Sequence, residues 1–250
     1  MKIDLSDKIA LVTGGSRGIG GACCRSLSKA GAKVLINYHL SNEKAEALKN
    51  EIESEGREAD TFQADISKPD EVEALFKIIQ KKYEKLDILV NNAGIIKDNL
   101  LLAMSIGDWD RVHNVNLRGA FMCSKYAAEM MITRHSGKII NISSIGAIRV
   151  VRGQSNYAAA KGGLLSFTRA CAVELAGKGI QVNAVLPGII ETKMSQRARK
   201  RAGQQLLDRI PQERFGQPAD VADLVVFLAS DKSNYITGQA ITVDGGLSLS

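Results

Sequence analysis

I-A-L-V-T-G-G-S-R-G-I-G, Ile9 to Gly20, joins a short apolar run to a glycine-rich turn. The run is continuous and rich in aliphatic residues, which suits a strand covered on both faces. Glycines at 14, 18 and 20 follow in a G-x-x-x-G-x-G spacing. Gly14 allows a tight turn, Gly18 lets backbone approach a pyrophosphate, and Gly20 permits close packing of the next helix. The start of that helix presents free N–H groups and a positive dipole end to an anion. An ordinary glycine turn has the same composition. Its place after the first strand of an alternating chain is what points to a dinucleotide.

The alternation runs on. Apolar runs recur at 33–38, 87–90, 138–142, 180–185 and 240–243, with a weaker one at 61–64. Helical patterns lie at 19–30, 43–55, 70–83, 108–133, 155–176 and 218–229. Ser67-Lys68-Pro69-Asp70-Glu71 predicts a helix start with Ser67 as N-cap, an early proline and acids in the first turn. Gly31 and Gly56 sit where helices should stop. Strands alternating with helices indicate a parallel sheet covered on both faces. No Pro- or Ser-rich linker and no repeat of about 20–50 residues divides the chain. It reads as one α/β domain over 1–250, a doubly wound (Rossmann) fold.

Composition excludes several classes. Hydrophobic residues at 45% and charged residues at 24% of 250 are ordinary for a globular protein. A net charge of +6 fits attraction to anions without singling out nucleic acid, and 5% aromatics supply no stacking platform for single strands. Cys23, Cys24, Cys123 and Cys171 form no C-x-x-C and no metal spacing, so they read as reduced thiols, mostly buried. Residues 1–13 lack the shape of a signal peptide, and no stretch approaches the roughly 20 apolar residues of a membrane span. A cytoplasmic protein is the expectation.

The second apolar run ends Asn37-Tyr38-His39, without the acid that usually holds the ribose hydroxyls of NAD. Arg17, in the glycine turn, can pair with a 2′-phosphate. The residues therefore predict NADP(H) over NAD(H).

S-N-Y-A-A-A-K, Ser155 to Lys161, puts a tyrosine and a lysine four apart on one helix face, about 5.4 Å along the axis. The alanine spacer leaves room for something flat. An ammonium about 4 Å from the phenol is worth roughly 4 kcal/mol at an effective dielectric of 20, a bound near three pKa units. So lowered, Tyr157 can act as general acid or base. The pair alone also fits an amphipathic helix with a solvated lysine. Ser144, just after a strand end, can hydrogen-bond a substrate carbonyl. N-N-A-G (91–94) follows another strand at the edge where such sheets bind ligands. Asn116 sits mid-helix as a poor helix former, either solvent-facing or functional.

The set T-G-x-x-x-G-x-G, N-N-A-G, Asn116, Ser144, Y-x-x-x-K and P-G (187–188) resembles the short-chain dehydrogenase/reductase family, in order and spacing over essentially the whole chain. The resemblance implies Asn116, Ser144, Tyr157 and Lys161 as the catalytic set. Tyr157 donates the proton in reduction, and Lys161 lowers its pKa and bonds the nicotinamide ribose. Ser144 steadies the developing oxyanion, and Asn116 supports a water that relays protons to Lys161. For the cofactor it implies Gly14, Ser16, Arg17, Gly18, Ile19 and Gly20 at the phosphates and Asp65 with Ile66 on the adenine side. It implies Asn92, Ala93, Gly94, Pro187, Gly188 and Ile190 along the cleft, and Thr192 at the carboxamide. Seven parallel strands, a homotetramer and a substrate-covering lid at about 188–212 are further expectations.

Longer strings, among them 91–101, 153–163, 182–194 and 235–246, are similar to the branch that reduces 3-oxoacyl thioesters on acyl carrier protein. That implies NADPH-dependent reduction to the 3-hydroxyacyl thioester in fatty-acid synthesis, on a carrier-linked or CoA-linked substrate. Lys178 and Arg134-His135 stand where that branch carries carrier-binding cations, with His135 at a usual arginine position. Acetoacetyl-CoA, a polyketide intermediate, a sugar or another small alcohol or ketone remain alternatives, as does a non-catalytic dinucleotide-binding protein. K-M-S-Q-R-A-R-K-R (193–201) holds five basic residues in nine. It is either a solvated helix face or an attractor for phosphopantetheine, CoA phosphates or the carrier; no nucleic-acid-binding element accompanies it.

Overall fold

The computed structural model describes residues 3–250. Met1 and Lys2, the start of the stretch read for a signal peptide, lie outside the described residues. Seven strands form one all-parallel sheet in the order β3-β2-β1-β4-β5-β6-β7. They are β1 (Ile9–Val12), β2 (Lys33–Tyr38), β3 (Ala59–Gln63), β4 (Ile88–Asn91), β5 (Gly137–Ile142), β6 (Ile180–Pro187) and β7 (Ala240–Val243). The helices are α1 (Gly18–Lys29), α2 (Asn42–Ser54), α3 (Pro69–Tyr83), α4 (Ile106–His113), α5 (Gly119–Ile132), α6 (Ser155–Ala176), α7 (Gln196–Leu207) and α8 (Pro218–Ala229).

The strands are apolar throughout because both faces are covered. Side chains alternate between faces. Ala10, Val12, Val34, Ile36, Ile88 and Val90 meet Cys23, Cys24, Leu27, Val221, Val225 and Leu228 of α1 and α8. Ile9, Leu11, Leu35, Leu89, Ile139 and Val182 meet Val72, Leu75, Phe76 and Ile79 of α3 and Met122, Cys123, Ala127 and Met131 of α5. A side chain of this kind contributes roughly 1.5–3 kcal/mol when fully buried. Cys23, Cys24 and Cys123 are buried and Cys171 is half-buried; all four are free thiols. Burial pushes Cys23 and Cys123 up to about 12, which keeps them as thiols.

Local readings hold with adjustments. Gly31 and Gly56 follow α1 and α2 with φ of 105° and 74°, the left-handed region that lets a chain leave a helix. β3 starts at Ala59, two residues before the weak run at 61–64, because Val34↔Ala59 already pair. Ser67 is not the N-cap of α3. Lys68 holds that position, and the Ser67 hydroxyl donates to Asp65 Oδ1 at 2.8 Å. The long helix at 108–133 is two helices, α4 and α5, joined by a π-helical turn at Asn114–Arg118.

Strand order reverses between β1 and β4, since the chain leaves β1 toward β2 and β3 and returns to the other side for β4. At such a switch point the loops after the two strands diverge and leave a crevice at the carboxyl edge. No helix among the described residues is long and apolar enough to cross a membrane.

Candidate active site

The turn after β1 is held on both sides. Thr13 Oγ1 accepts from the N–H groups of Asn92 (3.0 Å) and Ala93 (3.1 Å), and Asn92 Nδ2 donates back to the carbonyls of Thr13 (2.9 Å) and Gly14 (3.1 Å). Across the turn, buried Asn37 accepts from Gly14 N–H at 3.3 Å and donates to Ala64 at 3.1 Å. Gly14 and Gly18 have φ of 60° and 57°, in the left-handed region that favours glycine. A Cβ on Gly20 would stand 2.4 Å from Asn92 Nδ2 and from the Gly14 carbonyl oxygen. No side chain caps α1, so its first N–H groups stay available to an anion. A dinucleotide pyrophosphate fits this cradle. Ser16 and Ile19 flank it half-buried, and Arg17 is exposed above it.

Further along the edge, Asp65 accepts from Ser67 N–H and hydroxyl, and its Oδ2 lies 3.7 Å from His39 Nε2. Ile66 is buried against Gly119 at the end of the π turn. Pro187 closes β6, and Gly188 N–H donates to Val243. Ile190 is buried in the core beneath the edge, bridged to Gly216. Thr192 comes back to the phosphate turn: its Cγ2 lies 3.5 Å from where a Gly18 Cβ would be. Ser195 donates to the Ile190 carbonyl and so closes this loop.

Asn116, Ser144, Tyr157 and Lys161 are brought together. Asn116 lies in the π turn, buried rather than solvent-facing, and its amide bonds Ile95 twice, Oδ1 accepting from N–H at 2.8 Å and Nδ2 donating to the carbonyl at 3.0 Å. Extra residues in a helical turn often mark functional sites. Gly94 lies between it and Lys161: a Cβ there would be 3.3 Å from Asn116 Oδ1 and 3.6 Å from Lys161 Nζ. Lys161 donates to the Ile142 carbonyl at 2.7 Å, and its own carbonyl accepts from Ser143 Oγ at 2.9 Å. Ser144 caps the short turn at Ile145–Ala147 by accepting from Gly146 N–H, and it neighbours Tyr157: a Cβ on Gly146 would be 3.3 Å from Ser144 Oγ and 3.4 Å from Tyr157 Cε1. Asn156 fixes the start of α6 by accepting from Tyr157 N–H and donating to the Lys97 carbonyl.

The electrostatics correct one expectation. Lys161 Nζ lies 5.9 Å from the centroid of the Tyr157 ring and donates to the Ile142 carbonyl, and no hydrogen bond joins it to the phenol. Burial raises Tyr157 above its ordinary value, the nearby Ser144 hydroxyl opposes this, and Asp98 adds to it. Burial also pushes Lys161 down to about 8. The phenol is therefore protonated near neutrality, and Lys161 titrates close to working pH.

Arg134, His135 and Lys178 lie elsewhere. They precede β5 and β6, at the amino edge of the sheet, whereas Ser144 follows the carboxyl end of β5. Within one chain they do not rim the crevice.

The family model described as enoyl-(acyl carrier protein) reductase matches residues 14–248. The 3-oxoacyl-[acyl-carrier-protein] reductase FabG of Staphylococcus aureus is 46% identical over 96% of this chain and 98% of its own. Its counterpart in Thermotoga maritima is 42% identical over 97% of this chain and 98% of its own. A gluconate 5-dehydrogenase from Burkholderia cenocepacia, solved with NADP and tartrate, has a TM-score of 0.95 at 36% identity, covering 100% of this chain and 98% of its own.

The chain belongs to the short-chain dehydrogenase/reductase family. As a short-chain dehydrogenase/reductase it takes a nicotinamide dinucleotide of the NAD(P) type, and the glycine turn after β1 and the Ser144, Tyr157 and Lys161 cluster after β5 both lie at the carboxyl edge of the sheet. Sequence reasoning passed over Thr13, Asn37, Ser143 and Asn156, which hold the turn, Lys161 and the α6 start. Asn37, a buried polar residue ending an apolar strand, and the double serine at 143–144 were the available signals.

Proposed function

We propose that this short-chain dehydrogenase/reductase reduces the 3-oxo group of an acyl thioester, carried on acyl carrier protein, to the 3-hydroxyacyl thioester in fatty-acid synthesis with NADPH. The observation that carries the reading is that Ser144 Oγ and the Tyr157 ring both flank Gly146, 3.3 and 3.4 Å from where its Cβ would be, with Lys161 buried one helical turn on from Tyr157. Two hydroxyls converge where one carbonyl oxygen can accept from both. Bound dinucleotide supplies the hydride, which adds to C3. Tyr157 gives its proton to the oxygen as charge develops there, and its raised pKa keeps that proton in place beforehand. Ser144 stabilises the same oxygen by donation. Lys161 replaces the proton, and Asn116, bound to Ile95 next to Gly94, fixes the path to it.

The matching family model is described by an enoyl reduction, a carbon–carbon double bond. Two neighbouring hydroxyl donors, Ser144 and Tyr157, favour the carbonyl reaction, as do the names of the relatives at 42–46% identity. NADPH preference is supported by the acid-free end of β2, with exposed Arg17 and His39 nearby. A homotetramer is supported by apolar side chains left exposed on α5 and α6, such as Phe121 and Val173, and at Tyr235 and Leu249. A cytoplasmic location follows from this metabolic role.

The test is steady-state oxidation of reduced nicotinamide with a 3-oxoacyl carrier protein, its CoA thioester, and oxidised sugar acids such as the 5-keto form of gluconate. Higher kcat/KM on thioesters, with NADPH over NADH, is expected. Activity confined to sugar acids moves the chain to the branch of its gluconate dehydrogenase neighbour.

A further inference from the structure

The cations from Lys193 to Arg201 have no task in the reaction above. No acidic residue lies between Glu191 and Asp208. Arg199 faces the body of the protein. Its Nε donates to Ser195 Oγ at 3.2 Å, its guanidinium lies 5.7 Å from the Phe215 ring centroid, and its Nη1 is 3.8 Å from Glu191. An α-helix turns about 100° per residue. Arg197, Lys200 and Arg201 therefore share an arc of about 100° on the side away from Arg199. All three are exposed, and none forms an ion pair among the described residues. Nothing in α7 is buried, and its helical path breaks at Ala202, with φ −141° and ψ 34°.

This stripe works against its own helix, because like charges three and four residues apart repel. It does not serve packing. It also faces away from the side on which Arg199 meets Ser195 and Phe215. Thr192, beside Gly18, anchors the segment at the lip of that crevice. A partner arriving over the lip meets the three cations first.

We propose that Arg197, Lys200 and Arg201 form a docking face for an acidic protein surface, that of the carrier delivering the thioester. This rests on the reading of the preceding subsection and adds where the carrier is received. Opposite charge at the rim speeds encounter and orients the partner.

The test uses the full chain and the triple variant Arg197→Gln/Lys200→Gln/Arg201→Gln. Both reduce the same 3-oxoacyl group on carrier protein, on CoA and on N-acetylcysteamine. For the carrier substrate, KM rises about tenfold or more, with the salt dependence of kcat/KM flattened. The kinetics on N-acetylcysteamine stay unchanged, which also reports a folded variant. Unchanged carrier kinetics overturn the proposal and leave the proposed reaction standing. An equal loss on all three substrates overturns it as well. A loss confined to the CoA thioester assigns the stripe to nucleotide phosphates instead, and DNA binding lost in the variant with carrier kinetics intact assigns it to nucleic acid. Wild type inactive on every thioester ends the reaction reading and the docking face together.

Discussion

The side-chain amide of Asn116 and the backbone of Ile95 are bound to each other twice, at 2.8 and 3.0 Å, so a π-helical turn is locked to the loop after β4. Loss of either partner leaves backbone groups unsatisfied near Lys161. Asn116→Ala should lower stability by about 1–3 kcal/mol, read as a shift in the urea midpoint. Asn116→Asp, which sets a buried carboxylate oxygen against the Ile95 carbonyl in place of the donor, should lower it at least as far. Equal midpoints for all three proteins would show that the bonds are replaced by water.

In the proposed reaction Tyr157 and Ser144 address the same oxygen, and they should differ in what they cost. Tyr157→Phe removes the proton and should reduce kcat by about 10²–10⁴. Ser144→Ala removes one donor and should reduce it by about 10²–10³. NADPH affinity, followed by its fluorescence, should change little in Ser144→Ala. Retained reductase activity in Tyr157→Phe removes the assignment.

Lys161 sets a pH dependence of stability in the absence of cofactor. Burial holds its folded pKa down to about 8, against about 10.4 for a free lysine. Between these values the unfolded chain binds more protons, so stability rises with pH through that window. Below about pH 8 both states are charged and the burial cost is fully present, roughly 3 kcal/mol. The urea midpoint of wild type relative to Lys161→Met should climb from pH 8 to pH 10. A flat difference would mean that Lys161 keeps its charge at no cost.

Asp98 raises the Tyr157 pKa and accepts from Gln154 at 3.0 Å on an exposed loop. Asp98→Asn removes that charge and should move the basic limb of the reductive kcat/KM profile to lower pH. The profile of Gln154→Ala, which keeps the charge, should move less. Superimposable wild-type and Asp98→Asn profiles would leave Asp98 without influence on the phenol.

Gly20 has no room for a side chain. Gly20→Ala forces a methyl group to 2.4 Å from Asn92 Nδ2 and the Gly14 carbonyl, so the turn must shift. About 1–3 kcal/mol of stability should be lost, and dinucleotide affinity should fall with it. Gly56→Ala, where a Cβ meets nothing within 4 Å, is the control: it strains only the backbone, at φ 74°.

Much of this protein was legible in order along the chain. Local physics acts over a few residues, so the apolar runs, the glycine turn, the stops at Gly31 and Gly56 and the four-residue spacing of Tyr157 and Lys161 could be read without coordinates. Alternation of runs and helices sufficed for a parallel sheet, because only strands covered on both faces are apolar throughout. Tertiary structure alone decided the strand order, and so which loops meet at the crevice. It decided that Asn116 is buried in a π turn and tied to Ile95, and that Thr13, Asn37 and Asn92 hold the phosphate turn from strands up to about 80 residues away in sequence. It turned the Lys161 ammonium toward the Ile142 carbonyl and left the Tyr157 phenol protonated. Charge and burial depend on what surrounds a group in space, and spacing along the chain carries no record of that.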